Sequence, residues 1–381
     1  MKRTAHPKPD SAPSRVTSHE GQLRPLPREI SDKIPQELFE RIIGFLHDDK
    51  NSLSRCSVVC WSWLPASRFH LLASLPVRSI QLNNGWSQQF NCSVPFGGGK
   101  YILYGNMQGV YWSEVGRNTM PVHVLSLPDV SQIDVLEKYN LLVCLSAHRV
   151  TTISLDMLNP FSPKDVASCT IVSSHVSCYK VGTLSRRTYI CVVKSGGPKH
   201  TTFKLMVPII SLPQKTYSLV LYKEFYVPEK ATSVHFLRRK IAAALNNHGF
   251  EVIDVDTLDT QTLLDPAISA ALHGQKSWKG LAIYRVDDEF MVCYNVCAIY
   301  VNRRGQLTRS ERVQWTHPIE VTFFRDPYVL ALSESHIEVR HVRTGELLQT
   351  VWGSFRLLST SPQLCMVQAE DARVLGLEFN N

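Results

Sequence analysis

From residue 38 onward, apolar positions fall at Leu38, Ile42, Phe45 and Leu46, the i, i+4, i+7, i+8 series of one helical face. Pro35 suits the first turn of such a helix, and Glu37 is favourable at its positive end. Phe39 and Ile43 widen the stripe to an arc of about 160°, more than the roughly 100° that one core requires, so a second partner is expected on this helix. Another helical pattern runs from Ser52 to Leu64, where Pro65 biases the preceding residue away from helical geometry. Its wheel gathers Leu53, Cys56, Val59, Cys60, Trp63 and Leu64 on one side and sets Val58 and Trp61 elsewhere.

Beyond residue 83 the period changes. Short apolar runs alternate with turn residues, as in YILYGNMQGVYWSEV, LLVCLSAHRVTTISL, IAAALNNHGFEVIDV and YVLALSESHIEVRHV, and each reads as strand, tight turn, strand. Seven such hairpins centre near residues 107, 148, 197, 248, 296, 335 and 370. Their spacing of about 35 to 51 residues is close to that of propeller blades and leaves room for two further strands in each. The expected fold class is α+β multidomain, a small all-α module followed by an all-β seven-bladed propeller. The bounds that follow are a disordered tail at 1–30, a helical domain at 31–75, a linker or first strand at 76–96 and the propeller at 97–375.

Composition narrows the function classes. The 381 residues are 44% hydrophobic, enough for a substantial core, and carry a formal charge of +8. The basic residues are scattered in short groups, such as Arg186-Arg187, Arg238-Arg239-Lys240 and Arg303-Arg304, and this argues against nucleic-acid binding. No run approaches the roughly 18 apolar residues of a membrane span, and the N-terminus has no secretory apolar stretch. A soluble, non-secreted chain is expected, in the cytoplasm and with the nucleus also open to it. Ten cysteines spread over all regions read as reduced thiols.

The candidate chemistry is sparse. CSVVCWSW at 56–63 lacks further metal ligands, since His47 and His70 have no finger-like spacing to it. Cys56 and Cys60 sit one turn apart on the core stripe, where thiols act as small hydrophobes. GGGKY at 97–101 fails the Walker-A spacing, with Val94 and Tyr101 at the positions that need Gly and Ser or Thr. Cys293 and Cys297 have no His or carboxylate cluster beside them, His341 stands alone on an apolar face, and Asp287-Asp288-Glu289 reads as a solvated turn. No catalytic, cofactor-binding or metal-ligating residues are expected, and no cofactor.

The stretch IPQELFERIIGFLHDDKNSLSRCSVVCWSWLPASR resembles an F-box, the helical module that docks onto the Skp adaptor of Skp-cullin-F-box ubiquitin ligases. The resemblance implies adaptor contacts through Ile34, Pro35, Leu38, Ile42, Ile43, Leu46 and Trp61, the last at a place where the family more usually has a polar or basic residue. Through the adaptor it implies cullin and RING subunits as partners.

Further on, LSLPDVSQIDVLEKYNLLVCLSAHRV, IYRVDDEFMVCYNVCAIYVNRRG and DPYVLALSESHIEVRHVRTGELLQT resemble the citron-homology (CNH) domain of fungal Rho exchange factors and of citron and germinal-centre kinases. This resemblance spans roughly 97–375 and implies a propeller that binds proteins, small GTPases among them. Neither a kinase nor a Dbl-type exchange domain is recognisable. Together the two resemblances lead to the expectation of a non-catalytic substrate receptor of a ubiquitin ligase, its propeller holding a protein client at residues the sequence does not reveal. The alternative is a signalling scaffold outside any ligase, whose propeller binds a small GTPase or a kinase.

Overall fold

The computed structural model describes residues 36–46, 50–56, 63, 76–82, 88–117, 120–195, 200–211, 216–246, 249–268, 278–361 and 364–380. The chain divides into two compact units, Met1–Leu75 and Pro76–Asn381.

In the first unit, α1 (Gln36–Gly44) and α2 (Lys50–Cys56) pack through Ile43 and Leu53, which are 1% and 0% exposed, with Leu46 and Trp63 against them. The wide apolar stripe of α1 is thus split. Ile43 points to its own helical partner, while Leu38 and Ile42, one turn apart, stay about half exposed. Ile34, Pro35, His47, Cys60 and Trp61 lie outside the described residues, and so does the stretch of the second expected helix from 57 to 62.

The second unit is a ring of seven four-stranded antiparallel sheets. Blade 1 comprises Cys92–Phe96, Tyr101–Gly105, Gly109–Glu114 and Val122–Ser126, and blade 2 Val130–Leu136, Leu141–Ser146, Arg149–Ser154 and Thr170–Ser174. Blade 3 is built of Val176–Leu184, Arg187–Ser195, Thr201–Ser211 and Thr216–Val227, and blade 4 of Ala231–Phe236, Lys240–Leu245, Gly249–Asp254 and Thr260–Thr262. Blade 5 has Gly280–Val286, Glu289–Tyr294, Cys297–Val301 and Val313–Gln314, and blade 6 Val321–Arg325, Tyr328–Leu332, His336–His341 and Leu347–Trp352. The seven hairpins expected from the sequence are the turns between the second and third strands of successive blades.

Blade 7 is assembled from both ends of the unit. Phe355–Thr360, Cys365–Ala369 and Val374–Phe379 supply three strands, and Val77–Gln81 pairs with the last of them in the register Val77↔Phe379 to Gln81↔Leu375. This joint converts an open row of sheets into a ring.

Neighbouring sheets bury their apolar faces against one another. Ile102, Tyr104 and Tyr111 of blade 1 meet Leu358, Met366 and Val374 of blade 7 around Phe90. Each fully buried side chain of this size contributes about 1.5–3 kcal/mol by removal from water. Packing is tight at Gly182, on the first strand of blade 3, where a Cβ would stand 2.1 Å from the Phe236 ring of blade 4.

Candidate binding site on the loop face

Because strands alternate in direction, the first and third inter-strand loops of every blade emerge on the same end of the ring. Adjacent first turns are tied together there. Gly97 N donates to Glu137 Oε1 at 2.8 Å between blades 1 and 2, and Ser185 N donates to Arg238 O at 3.3 Å between blades 3 and 4. Between blades 5 and 6, Arg343 donates to both oxygens of Asp287 at 2.9 and 3.1 Å and to Asp326 Oδ1 at 2.9 Å. The hydrogen bonds from Arg343 hold the Asp287 carboxyl below its ordinary range, and the two carboxylates raise the Arg343 guanidinium further. Glu289 pairs with Arg309 at 2.9 Å, and that guanidinium lies 3.6 Å over the Tyr300 ring. The acidic run 287–289, expected to be merely solvated, is therefore part of an ion-pair lattice in which Arg343 and Arg309 come from later loops.

Beside this lattice, a cavity of about 940 Å³ opens between blades 4 and 5. Its floor is apolar, with Phe236, Leu263, Ile283 and Phe290, and its walls carry Arg238, Arg239 and Lys240 from blade 4 and Arg285, Arg303 and Arg304 from blade 5. Asp288 is the one carboxylate among the lining residues, 3.8 Å from Arg285 and 3.9 Å from Arg303. Two of the basic groups that look isolated in the sequence thus face one site. The loop bearing Arg303 and Arg304 is held in place by Gly305 (φ +75°), where a Cβ would strike Leu263 O at 2.1 Å, and by the Asp265 N to Gly305 O bond at 3.0 Å. Asn302 Oδ1 fixes its near end by accepting from Arg304 N at 2.8 Å and Gln306 N at 3.1 Å.

The first strands line the axis of the ring. A second cavity, of about 410 Å³, is bordered there by Lys180, His235, Tyr284 and Thr322. Burial pushes the His235 imidazole down to about 4, with Lys180 acting in the same direction. On the first strand of blade 2, burial raises the Asp134 carboxyl to about 6 against the opposing influence of Tyr179 and Lys180.

In blade 6, alternation sets His336, Glu338 and Arg340 on one face, and the structure joins them. Glu338, fully buried, accepts from Arg340 Nε at 2.8 Å and from Thr316 N at 2.7 Å, and lies 3.3 Å from His336 Nε2. Burial would raise its carboxyl, but the hydrogen bonds from Thr316 and Arg340 outweigh it and the net shift is downward. Because Thr316 lies between blades 5 and 6, this network locks their junction. His341 is half-buried and meets Thr344 at 3.2 Å.

Cys293 and Cys297 are buried strand thiols; burial raises both, Cys297 to about 12. GGGKY forms the first turn of blade 1, between Cys92–Phe96 and Tyr101–Gly105. Among the described residues no cluster of His, Cys, Asp and Glu has a metal-binding arrangement, and no helix is long and apolar enough to cross a membrane.

Comparison with known proteins decides the family. The CNH domain profile matches residues 98–361. The chain belongs to the CNH domain family. The CNH region is 34% identical over 283 residues to Rho1 guanine nucleotide exchange factor 1 of Schizosaccharomyces pombe, covering 68% of this chain and 21% of that protein. RHO1 GDP-GTP exchange protein 2 of Saccharomyces cerevisiae is 24% identical, over 77% of this chain and 24% of its own length. The human citron Rho-interacting kinase is 21% identical over 66% of this chain and 13% of its own. The chain thus spans a quarter or less of these relatives. Among solved structures, the AfRom2 CNH domain superposes with a TM-score of 0.70 at 28% identity, over 80% of this chain and all of that one.

These findings correct the functional expectation built on the F-box resemblance. Relatives named for Rho1 exchange and Rho interaction point to small-GTPase signalling, so the receptor role in a ubiquitin ligase is withdrawn. The Skp adaptor, cullin and RING partners and the degradation of a client go with it. The expectation of a non-catalytic chain is withdrawn on the same ground, since those relatives are named for nucleotide exchange and match the CNH region. The physical reason is that exposed Leu38 and Ile42 suit contact with many proteins, and a short helical stripe does not specify which one.

Proposed function

We propose that the chain acts in Rho-type small-GTPase signalling, in GDP-GTP exchange on such a GTPase, with the CNH propeller holding the GTPase. The observation that carries this reading is the 34% identity to a Rho1 exchange factor across the propeller. A protein-binding surface supports it. The last strand of blade 3, Thr216–Val227, is an outer edge with Leu221, Tyr222 and Tyr226 exposed at 49, 41 and 74%, and aromatic side chains at such an edge are favoured interface anchors. For the helical unit we keep the F-box-like packing as a proposal about fold, supported by the Ile43 and Leu53 contact.

The test is titration of the purified chain with a Rho1-type GTPase in GDP-loaded, GTP-analogue-loaded and nucleotide-free forms, together with release of a fluorescent GDP. Saturable binding weakened by Leu221→Asp and Tyr226→Ser is expected. Accelerated GDP release would place exchange within this chain, and binding without acceleration would make the propeller a docking element beside an exchange centre elsewhere. No saturable binding in any nucleotide state overturns the reading.

A further inference from the structure

The cavity between blades 4 and 5 has a charge imbalance that the fold does not neutralise. Among the described residues, no carboxylate lies within ion-pair distance of Arg238, Arg239 or Arg304, and all three are exposed. Lys240 has only Asp254 at 3.9 Å, and Asp288 is shared at long range by Arg285 and Arg303. Elsewhere on the same face several arginines are matched: Arg343 takes two aspartates, half-buried Arg309 takes Glu289 and Arg117 takes Glu114 at 3.1 Å, while Arg186 on the first turn of blade 3 has no carboxylate within ion-pair distance among the described residues but faces no cationic partner wall. Unmatched guanidinium forks converging on a concavity are arranged for planar, bidentate recognition of an oxyanion.

The site is also prebuilt. Gly305 can adopt its positive φ and approach Leu263 O only because it lacks a Cβ, and Asn302 accepts two backbone hydrogens of the same loop. Both contacts fix the backbone that carries Arg303 and Arg304 opposite the Arg238–Arg239 turn before any ligand arrives, which lowers the ordering cost of binding. The turn is itself closed by Leu237 N donating to Lys240 O at 2.8 Å.

We propose that this cavity binds a phosphorylated inositol ring, as a free polyphosphate or as a lipid headgroup. Cations stand on both walls, so the ligand must present anionic groups in at least two directions. A ring bearing phosphates around its edge does this, whereas a nucleotide presents its phosphates from one end. The volume of about 940 Å³ admits such a ring with its phosphates, and the apolar floor of Phe236, Ile283 and Phe290 faces the ring carbons or the start of a lipid glycerol. The proposal stands independently of GTPase binding.

The experiment uses the purified full chain with two probes: soluble inositol trisphosphate by calorimetry, and flotation with phosphatidylcholine vesicles carrying phosphatidylinositol bisphosphate or, at equal surface charge, phosphatidylserine. Saturable binding is expected, weakened more than about tenfold in the Arg238→Gln/Arg304→Gln double variant and unchanged in Arg117→Gln, a cation outside the cavity. Asp288→Asn removes the opposing carboxylate and is expected to tighten binding, a gain that misfolding cannot mimic. Binding to both probes or to bisphosphate vesicles alone identifies a lipid headgroup, and binding to the soluble ring alone identifies a free polyphosphate. The proposal is overturned if the double variant, folded by circular dichroism, binds like wild type, or if neither probe binds. It is equally overturned if phosphatidylserine vesicles bind as well as bisphosphate vesicles, or if GTP or a polyglutamate peptide takes the site in preference to the inositol ring.

Discussion

Gln349 grips Val77 across 272 residues of sequence: its Oε1 accepts from Val77 N at 3.1 Å and its Nε2 donates to Val77 O at 3.1 Å. Gln349 lies on the outer strand of blade 6 and Val77 on the strand that closes blade 7, so one side-chain amide satisfies the backbone edge at the seam of the ring. Gln349→Leu keeps the volume but strands both groups of Val77. We expect a loss of about 1–3 kcal/mol in unfolding free energy, read by urea denaturation, with earlier hydrogen exchange at 77–81 than elsewhere in the propeller.

The Arg343 clamp makes a pH-dependent prediction. Asp287 is depressed by its hydrogen bonds to Arg343, so the stability it lends is present above its unfolded value near 4 and is lost as pH falls through the lower folded value. Arg343→Gln should return the Asp287 carboxyl to the ordinary range by NMR titration. It should also flatten the loss of thermal stability on acidification below about pH 4.

Asp134 and His235 pull in opposite directions. With its carboxyl raised to about 6, Asp134 contributes stability below its unfolded value, and that contribution disappears as pH rises through 6. With its imidazole lowered to about 4, His235 contributes stability above its unfolded value near 6.5, lost as pH falls towards 4. Between about pH 4 and 6 the two slopes oppose each other. Asp134→Asn should therefore raise stability on the order of 2 kcal/mol at pH 7, converge with wild type near pH 4, and expose the His235 slope. Melting temperatures across pH 4–8 check this, and a variant no more stable than wild type at pH 7 would count against a buried, raised carboxyl.

Gly182→Ala places a methyl 2.1 Å from the Phe236 ring, which can yield only by moving into the cavities it borders. Overpacking of this kind costs about 1–3 kcal/mol. Phe236 also floors the cavity between blades 4 and 5, so the variant should weaken any ligand bound there, as measured by calorimetry on the folded protein.

The propeller was legible because the second and third strands of its blades are the most regular ones. Leu141–Ser146 is buried along its whole length, as is Cys297–Val301, and tight turns punctuate such runs at blade spacing. Outer strands left little trace: Thr260–Thr262 is three exposed polar residues and Val313–Gln314 only two residues long. The binding surfaces were hidden for a topological reason. Asp287 meets Arg343 56 residues away, and Arg238 and Arg304 face one cavity from opposite walls only once blades 4 and 5 stand side by side. A charge count along the chain cannot see either. On α1, one wide stripe held residues of two fates, with Ile43 turned inward and Leu38 and Ile42 outward, because helical period gives direction and not partner.

The strand Val77–Gln81 precedes the segment that the CNH profile covers, yet it completes the last sheet. A fragment cut at Gly98 would expose the backbone of Val374–Phe379 as a bare edge, open to pairing with a second copy. In the intact chain the same strand is the direct continuation of the helical unit. All five of its paired residues must therefore be present before the last sheet of the propeller is complete.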